Sequence, residues 1–167
     1  DKAHALETKL RELVHFGQDN DAIIERLHRI TLALMLARDA DGLLASIYYN
    51  LREDFGVPHI AVRLWTGDGG DRPEFGEISP EVRVFAESLT QPYISAHPMF
   101  ETAQWFGEGA TGLTSFCYVA LRTEQAFGLL AMASDDPARF SPDMGTVYVK
   151  RLGELVSVAA ARFLKPA

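Results

Sequence analysis

Along the first 38 residues, key positions recur at alternating spacings of three and four: Leu10, Leu13, Gly17, Asn20, Ile24, Leu27, Thr31 and Leu34. That is a heptad-like seam, with Lys9, Arg11, Glu12, Glu25 and Arg26 off it, and it predicts one amphipathic helix. The stretch has no proline and one glycine. At ~1.5 Å per residue such a helix runs roughly 55 Å, longer than a compact domain of this size needs. Its first half is therefore expected to lack a packing surface in its own chain and to pair with a second copy as a parallel helical dimer. The alternative is a helix folded back on its own domain, kinked where Gly17 and Asn20 interrupt the seam.

The period then changes. Asp41 is the expected N-cap of a second helix over residues 42–54, with Leu43, Leu44, Ile47, Tyr48 and Leu51 on one face. Gly56 and Pro58 end it. Residues 59–66 alternate: Ile60, Val62 and Leu64 point one way, Ala61, Arg63 and Trp65 the other, as in a central strand with one face on helices and one mixed face. Residues 67–73 read as a turn, and Ser79 ahead of Pro80 caps a helix over residues 79–89. The pattern breaks down over residues 91–112, where Pro92, His97 and Pro98 interleave with Tyr93, Met99, Phe100, Trp105 and Phe106. Two strands joined through Thr123 and Glu124 follow, Ser115–Arg122 and residues 125–134, as a hairpin. A turn-rich connector holding Phe140 leads into a closing helix of about five turns. The order predicts an α+β domain: an antiparallel sheet with helices on one face and the aromatic-rich insert on the other.

Composition narrows the function classes. The chain has 167 residues, nearly half hydrophobic, which suits one domain with a sizeable core. A formal net charge of −7 disfavours direct nucleic-acid or anionic-membrane binding. The single cysteine, Cys117, precludes an intramolecular disulfide and points to a reducing, cytoplasmic setting, and no apolar run is long enough to span a membrane. Because the chain begins at Asp1 inside a helical pattern, it is expected to be a piece of a longer protein.

Several motifs carry candidate chemistry. Residues 107–112, Gly-Glu-Gly-Ala-Thr-Gly, match the dinucleotide fingerprint literally, but that motif needs a strand before it and a helix after it. Here aromatics precede it and a strand follows, so a rim loop is expected. The histidines His4, His15, His28, His59 and His97 include no pair at metal-binding helical spacing, so no metal is expected. Cys117 sits mid-strand with Ser115, Val119 and Leu121, as a small hydrophobe does. Phe116, Tyr118 and Ala120 face the other way, and Phe127, Leu129 and Ala131 are expected to continue that wall. Arg63 and Trp65 would meet it from the mixed face, where an arginine pairs with or stacks on an anionic ligand. The alternative places Arg63 on Glu74 or Glu77, or has it snorkel to the edge.

The chain resembles the GAF superfamily and, more closely, the proteobacterial GAF-like family catalogued as domain of unknown function 484. The resemblance rests on Gln18-Asp19-Asn20 and the run Glu25 to Leu34. It rests also on Gly128-Leu129-Leu130-Ala131, Ser134-Asp135-Asp136-Pro137, Arg139-Phe140, Pro142, Met144-Gly145-Thr146 and Leu152-Gly153-Glu154-Leu155. Together with the seam, it gives residues 1–38 as a helix, partly coiled coil, that dimerises, and residues 39–167 as a GAF-like domain. It also implies a sensory or regulatory, non-enzymatic protein without a resident cofactor. The family's gene neighbourhood, beside a tyrosine recombinase, implies a protein partner in chromosome maintenance. The cyclic-nucleotide signature is absent, the corresponding loop reading Pro137-Ala138-Arg139-Phe140-Ser141, and one cysteine cannot run the disulfide cycle of the sulfoxide-reductase relatives. The expected ligand is a small organic molecule between sheet and insert, lined by Arg63, Trp65, Tyr93, His97, Trp105 and Tyr118. Two alternatives stand beside it: an interaction module whose core is filled by its own aromatics, and an enzyme acting through His97 or Cys117.

Overall fold

The first helix, α1 (Lys2–Leu36), is unbroken over 35 residues. A computed structural model describes residues 2–66, 71–140 and 147–164, and of residues 12 and 14–20 the backbone alone. The seam divides in two. Leu10, Leu13 and Ile24 are exposed, whereas Leu27 and Thr31 are half-buried and Leu34 is buried. Its last third therefore packs inside its own chain, so a seam shared with a second copy does not extend to Leu34. The side chains of Gly17 and Asn20 lie outside the described residues.

The second helix, α2 (Ala40–Glu53), starts two residues earlier than the pattern suggested, because Asp39 and not Asp41 is its cap. Asp39 has the extended backbone a cap requires, and its Oδ1 accepts the Gly42 N–H at 2.7 Å. Asp41 falls in the first turn and pairs with Arg72 at 2.9 Å. Leu43, Leu44, Ile47 and Leu51 are buried on one face, as their spacing required, with Tyr48 half-buried beside them.

Four antiparallel strands follow: β1 (His59–Leu64), β2 (Tyr93–Ser95), β3 (Ser115–Arg122) and β4 (Ala126–Ser134), in the spatial order β1-β4-β3-β2. Among the described residues β1 is an edge strand, not the central one expected. The Arg63 side chain bonds back to the Val62 carbonyl at 2.9 Å. β2 is a three-residue strand inside the stretch read as irregular, too short for alternation to show. The β3–β4 hairpin forms as expected, but its register slips between Leu121, opposite Gly128, and Arg122, opposite Ala126. Phe127 is thus an extra residue that inverts the alternation. It joins the helix-side core, not the Phe116–Tyr118 wall expected, while Ala126 turns to the insert side.

One face of the sheet is covered by the end of α1, by α2 and by the closing helix α4 (Val147–Ala161), around Val62, Cys117, Val119, Leu130 and Met132. Two glycines of the family-like motifs permit this closeness. A Cβ on Gly153 would overlap Val119 Cγ1, and one on Gly128 would lie 2.7 Å from the Arg63 carbonyl oxygen. Phe140 is buried in this layer as expected, and Arg139 ties its loop to the end of α2 through the Phe55 carbonyl at 2.6 Å. Pro142, Met144, Gly145 and Thr146 lie outside the described residues, as do residues 67–70 of the expected turn.

The other face carries α3 (Pro80–Ser88) and a 3-10 segment, Phe100–Ala110, that forms most of the insert. Ser79 caps α3 as predicted, accepting the Val82 N–H at 3.2 Å. Val82 and Ala86 seat α3 on this face, so helix and insert share it.

Candidate functional site

The floor beneath the insert is built from alternate residues of three strands. Ala61, Ala131 and Ala133 make it shallow at the β1 side, and Phe116 and Tyr118 raise it at the β3 side. Trp105 and Phe106 of the insert pack on this floor, partly buried, Phe106 beside Phe116 at 6.2 Å between ring centroids.

Tyr118 is wholly buried. Its hydroxyl accepts the Met99 N–H at 2.9 Å and lies 2.7 Å from Thr102 Oγ1. The Thr102 hydroxyl hydrogen goes to the Met99 carbonyl at 2.6 Å, so Tyr118 is the donor to Thr102. Burial pushes the Tyr118 phenol up, against the opposing pull of these two bonds. The same bonds pin the turn in which Phe100 adopts φ 55°, a left-handed conformation costly for a bulky side chain. A second fastener lies beside it: Glu101 accepts Ser79 N–H at 2.8 Å and Ser79 Oγ–H at 2.7 Å. Burial raises the Glu101 carboxyl, but these bonds outweigh it and leave the group below its ordinary value.

Arg63 is half-buried on the same face, its guanidinium 4.9 Å from the Trp105 ring centroid. No carboxylate of a described residue lies within ion-pair distance of it. Glu74, expected as one of its partners, is taken instead by Arg72 at 3.1 Å. Burial lowers the Arg63 guanidinium below its ordinary value, with Tyr48 and Glu74 opposing. Trp65 donates its indole N–H to the Ala126 carbonyl at 3.2 Å, next to the bulge. Tyr93, on β2, is exposed and meets Phe85 edge-on at 5.4 Å between ring centroids. His97 is exposed in the loop after β2, its backbone N–H on Ser95 Oγ at 3.1 Å.

Of the six residues, the structure therefore brings Arg63 and Trp105 into contact and links Tyr93 to Tyr118 through Phe85, which meets Tyr118 at 5.6 Å. Phe85, Thr102 and Met99 were missed. Phe85 had a signal, one residue before Ala86 on the buried side of α3; the Tyr118–Thr102–Met99 triangle had none, because it depends on how the insert lands. Gly109 of the glycine motif covers His59, with no strand leading into it and β3 following. Cys117 is wholly buried on the opposite face, where burial pushes its thiol up to about 12. Among the described residues no three His, Cys, Asp or Glu side chains gather to hold a metal ion. An opening of about 640 Å³ lies outside this site, between α1 and α4.

The sequence profile of the family described as "Protein of unknown function, DUF484" matches residues 1–165. The chain belongs to this family. Among curated proteins no sequence matches it. Among solved structures, this DUF484 chain is similar to the GAF domain of a protein assigned as a sensor histidine kinase in Pseudomonas syringae pv. tomato. That pair is 15% identical with a TM-score of 0.62, covering 90% of this chain and 92% of the other. The GAF domain of a phosphoenolpyruvate-protein phosphotransferase from Coxiella burnetii is also 15% identical, TM-score 0.61, covering 84% and 93%. The nlh2 GAF domain of A. aeolicus in an inactive state is 13% identical, TM-score 0.60, covering 86% and 98%. At these identities the likeness shows the fold: this DUF484 member is an α+β GAF-like domain. No described helix is long and apolar enough to cross a membrane.

Proposed function

We propose that this chain is a non-enzymatic regulatory module that binds a small organic anion between its sheet and its insert, and dimerises through α1. The observation that carries the ligand half is Arg63, a half-buried guanidinium with no carboxylate partner among the described residues, resting on Trp105 above an alanine floor. A flat anionic ligand would take the place of the Trp105 ring, pairing with Arg63 and lying on Ala61 and Ala131. Tyr118 would border it along the row Ala61–Ala131–Tyr118 and Trp65 along β1, whereas Tyr93 and His97, on and after β2 at the other sheet edge, stand beyond Tyr118. Because Tyr118 and Glu101 fasten the insert to the sheet and to α3, a ligand that lifts Trp105 acts on the insert as one piece. Such coupling requires the ligand to favour one arrangement over another. The output would pass to a protein partner, with chromosome maintenance the setting the family resemblance implies. A reactive Cys117 is disfavoured by its burial and raised pKa.

One observation favours the second reading, an interaction module filled by its own aromatics: Phe85, Phe106, Phe116 and Tyr118 already contact one another across this face. A thermal-shift screen against small carboxylates and phosphorylated metabolites separates the two readings. A stabilising compound whose effect disappears in Arg63→Ala supports the ligand site. No shift with any compound favours the self-filled module.

A further inference from the structure

Two apolar surfaces have no partner among the described residues of this chain. One is a stripe on the overhanging half of α1: Leu6, Leu10 and Leu13 are 69%, 63% and 66% exposed, at spacings of four and three that put them on one helix face. The other is the groove between α1 and α4, where Leu27, Thr31 and Met35 face Leu155 and Val158 and the rim carries Arg151, Glu154 and Arg162. Met35 is 68% and Val158 67% exposed. Arg162 donates to the Leu34 carbonyl at 2.7 Å, which places the C-terminal ends of both helices together.

We infer that this groove is the seat of the α1 stripe of a second copy, running antiparallel across it, so that each copy fills the other's groove. The inference rests on the dimerisation reading above and departs from the parallel seam. At ~1.5 Å per residue the stripe is about 10 Å long and the α1 wall of the groove about 12 Å. About the Asn20–Asp21 peptide, Leu6 falls opposite Met35, Leu10 opposite Thr31, and Leu13 opposite His28, one residue from Leu27 of the groove. A two-fold axis there lets one self-complementary contact cover both unpartnered surfaces on both copies. In the parallel arrangement each stripe meets its own equivalent, and the grooves stay unfilled by it, since Leu34 is already buried at home. Charge agrees with the antiparallel sense. Glu7, next to Leu6, arrives at the end of the groove that holds the second copy's Arg162.

The test is disulfide trapping with cysteines placed at exposed positions, Leu6→Cys and Val158→Cys, separately and in one chain, read on non-reducing gels beside light scattering. Cys117 is wholly buried and does not compete. Covalent dimers in the double variant, with neither single variant trapped, are expected. Dimers from Leu6→Cys alone mean a parallel pair and overturn the inference while keeping the dimer. Loss of free thiols without a covalent dimer means α1 folds into its own groove and overturns it as well. A scattering dimer that no variant traps leaves the groove to another occupant, such as an apolar ligand, and also overturns it. A monomer by scattering sinks this inference and the dimerisation reading together.

Discussion

Cys117 shows how far a single residue's surroundings set its chemistry. The thiol is wholly buried and pushed up to about 12, from an ordinary value of 9.0. Below pH 9 folded and unfolded chains carry the same proton. Between pH 9 and 12 the unfolded chain releases it and the folded chain holds it, so stability is full below that window and is lost as pH rises through it. Tyr48, raised from 10.0 to about 12 chiefly by burial, adds to the loss in the upper part of the range. The urea midpoint is therefore expected to fall from about pH 9 to pH 11, and Cys117→Ala to flatten the fall between pH 9 and 10. An unchanged slope in the variant would contradict the assignment. Alternation along β3 made this inert thiol legible in the sequence. Other residue assignments were not legible, for physical reasons. Asp39 and Asp41 are both good caps by type, and the choice between them is made by backbone angles. Phe127 was misplaced because a bulge inverts alternation without leaving a mark in the residue pattern.

Among the elements, the insert is held most by side chains and least by backbone pairing. Apart from β2 and the packing of Trp105 and Phe106, its side-chain hydrogen bonds to the sheet among the described residues run through the Tyr118 hydroxyl, and those to α3 through Glu101 and Ser79. Tyr118→Phe keeps the ring contacts with Phe85 and Phe116 and leaves the Met99 N–H without its partner, at a cost of about 1–3 kcal/mol. Hydrogen exchange is expected to accelerate over residues 99–112 while α4 keeps its protection. Uniform acceleration across the chain would mean the hydroxyl supports the fold as a whole and not the insert in particular. The longer elements were legible because each repeats its period several times: α1, α2, α3 and the β3–β4 hairpin follow from spacing and caps. β2 was not, since three residues after a proline carry no period. The edge position of β1 depends on pairing with β4, which is distant in sequence.

At the scale of the whole molecule, the layered fold could be read from the order of elements, and the family from motifs that the packing now explains. Gly128 stands where β1, and Gly153 where Val119 of β3, leaves no room for a methyl group. The site was only partly legible. Phe, Trp and Tyr serve a core as readily as a pocket, and position along the chain did not show that Arg63 would rest on Trp105 while Tyr118 disappeared beneath the insert. The length of α1 set its first half apart from the domain, but the heptad spacing did not show that the seam would end at home with Leu34 buried. The central claim is that the sheet and insert hold a small organic anion through Arg63. Native mass spectrometry of the full-length protein, isolated gently from its own cells, tests it most directly. The account predicts a retained small-molecule mass that is missing from Arg63→Ala prepared in the same way. The bare polypeptide mass in both samples, or the same extra mass in both, would contradict it.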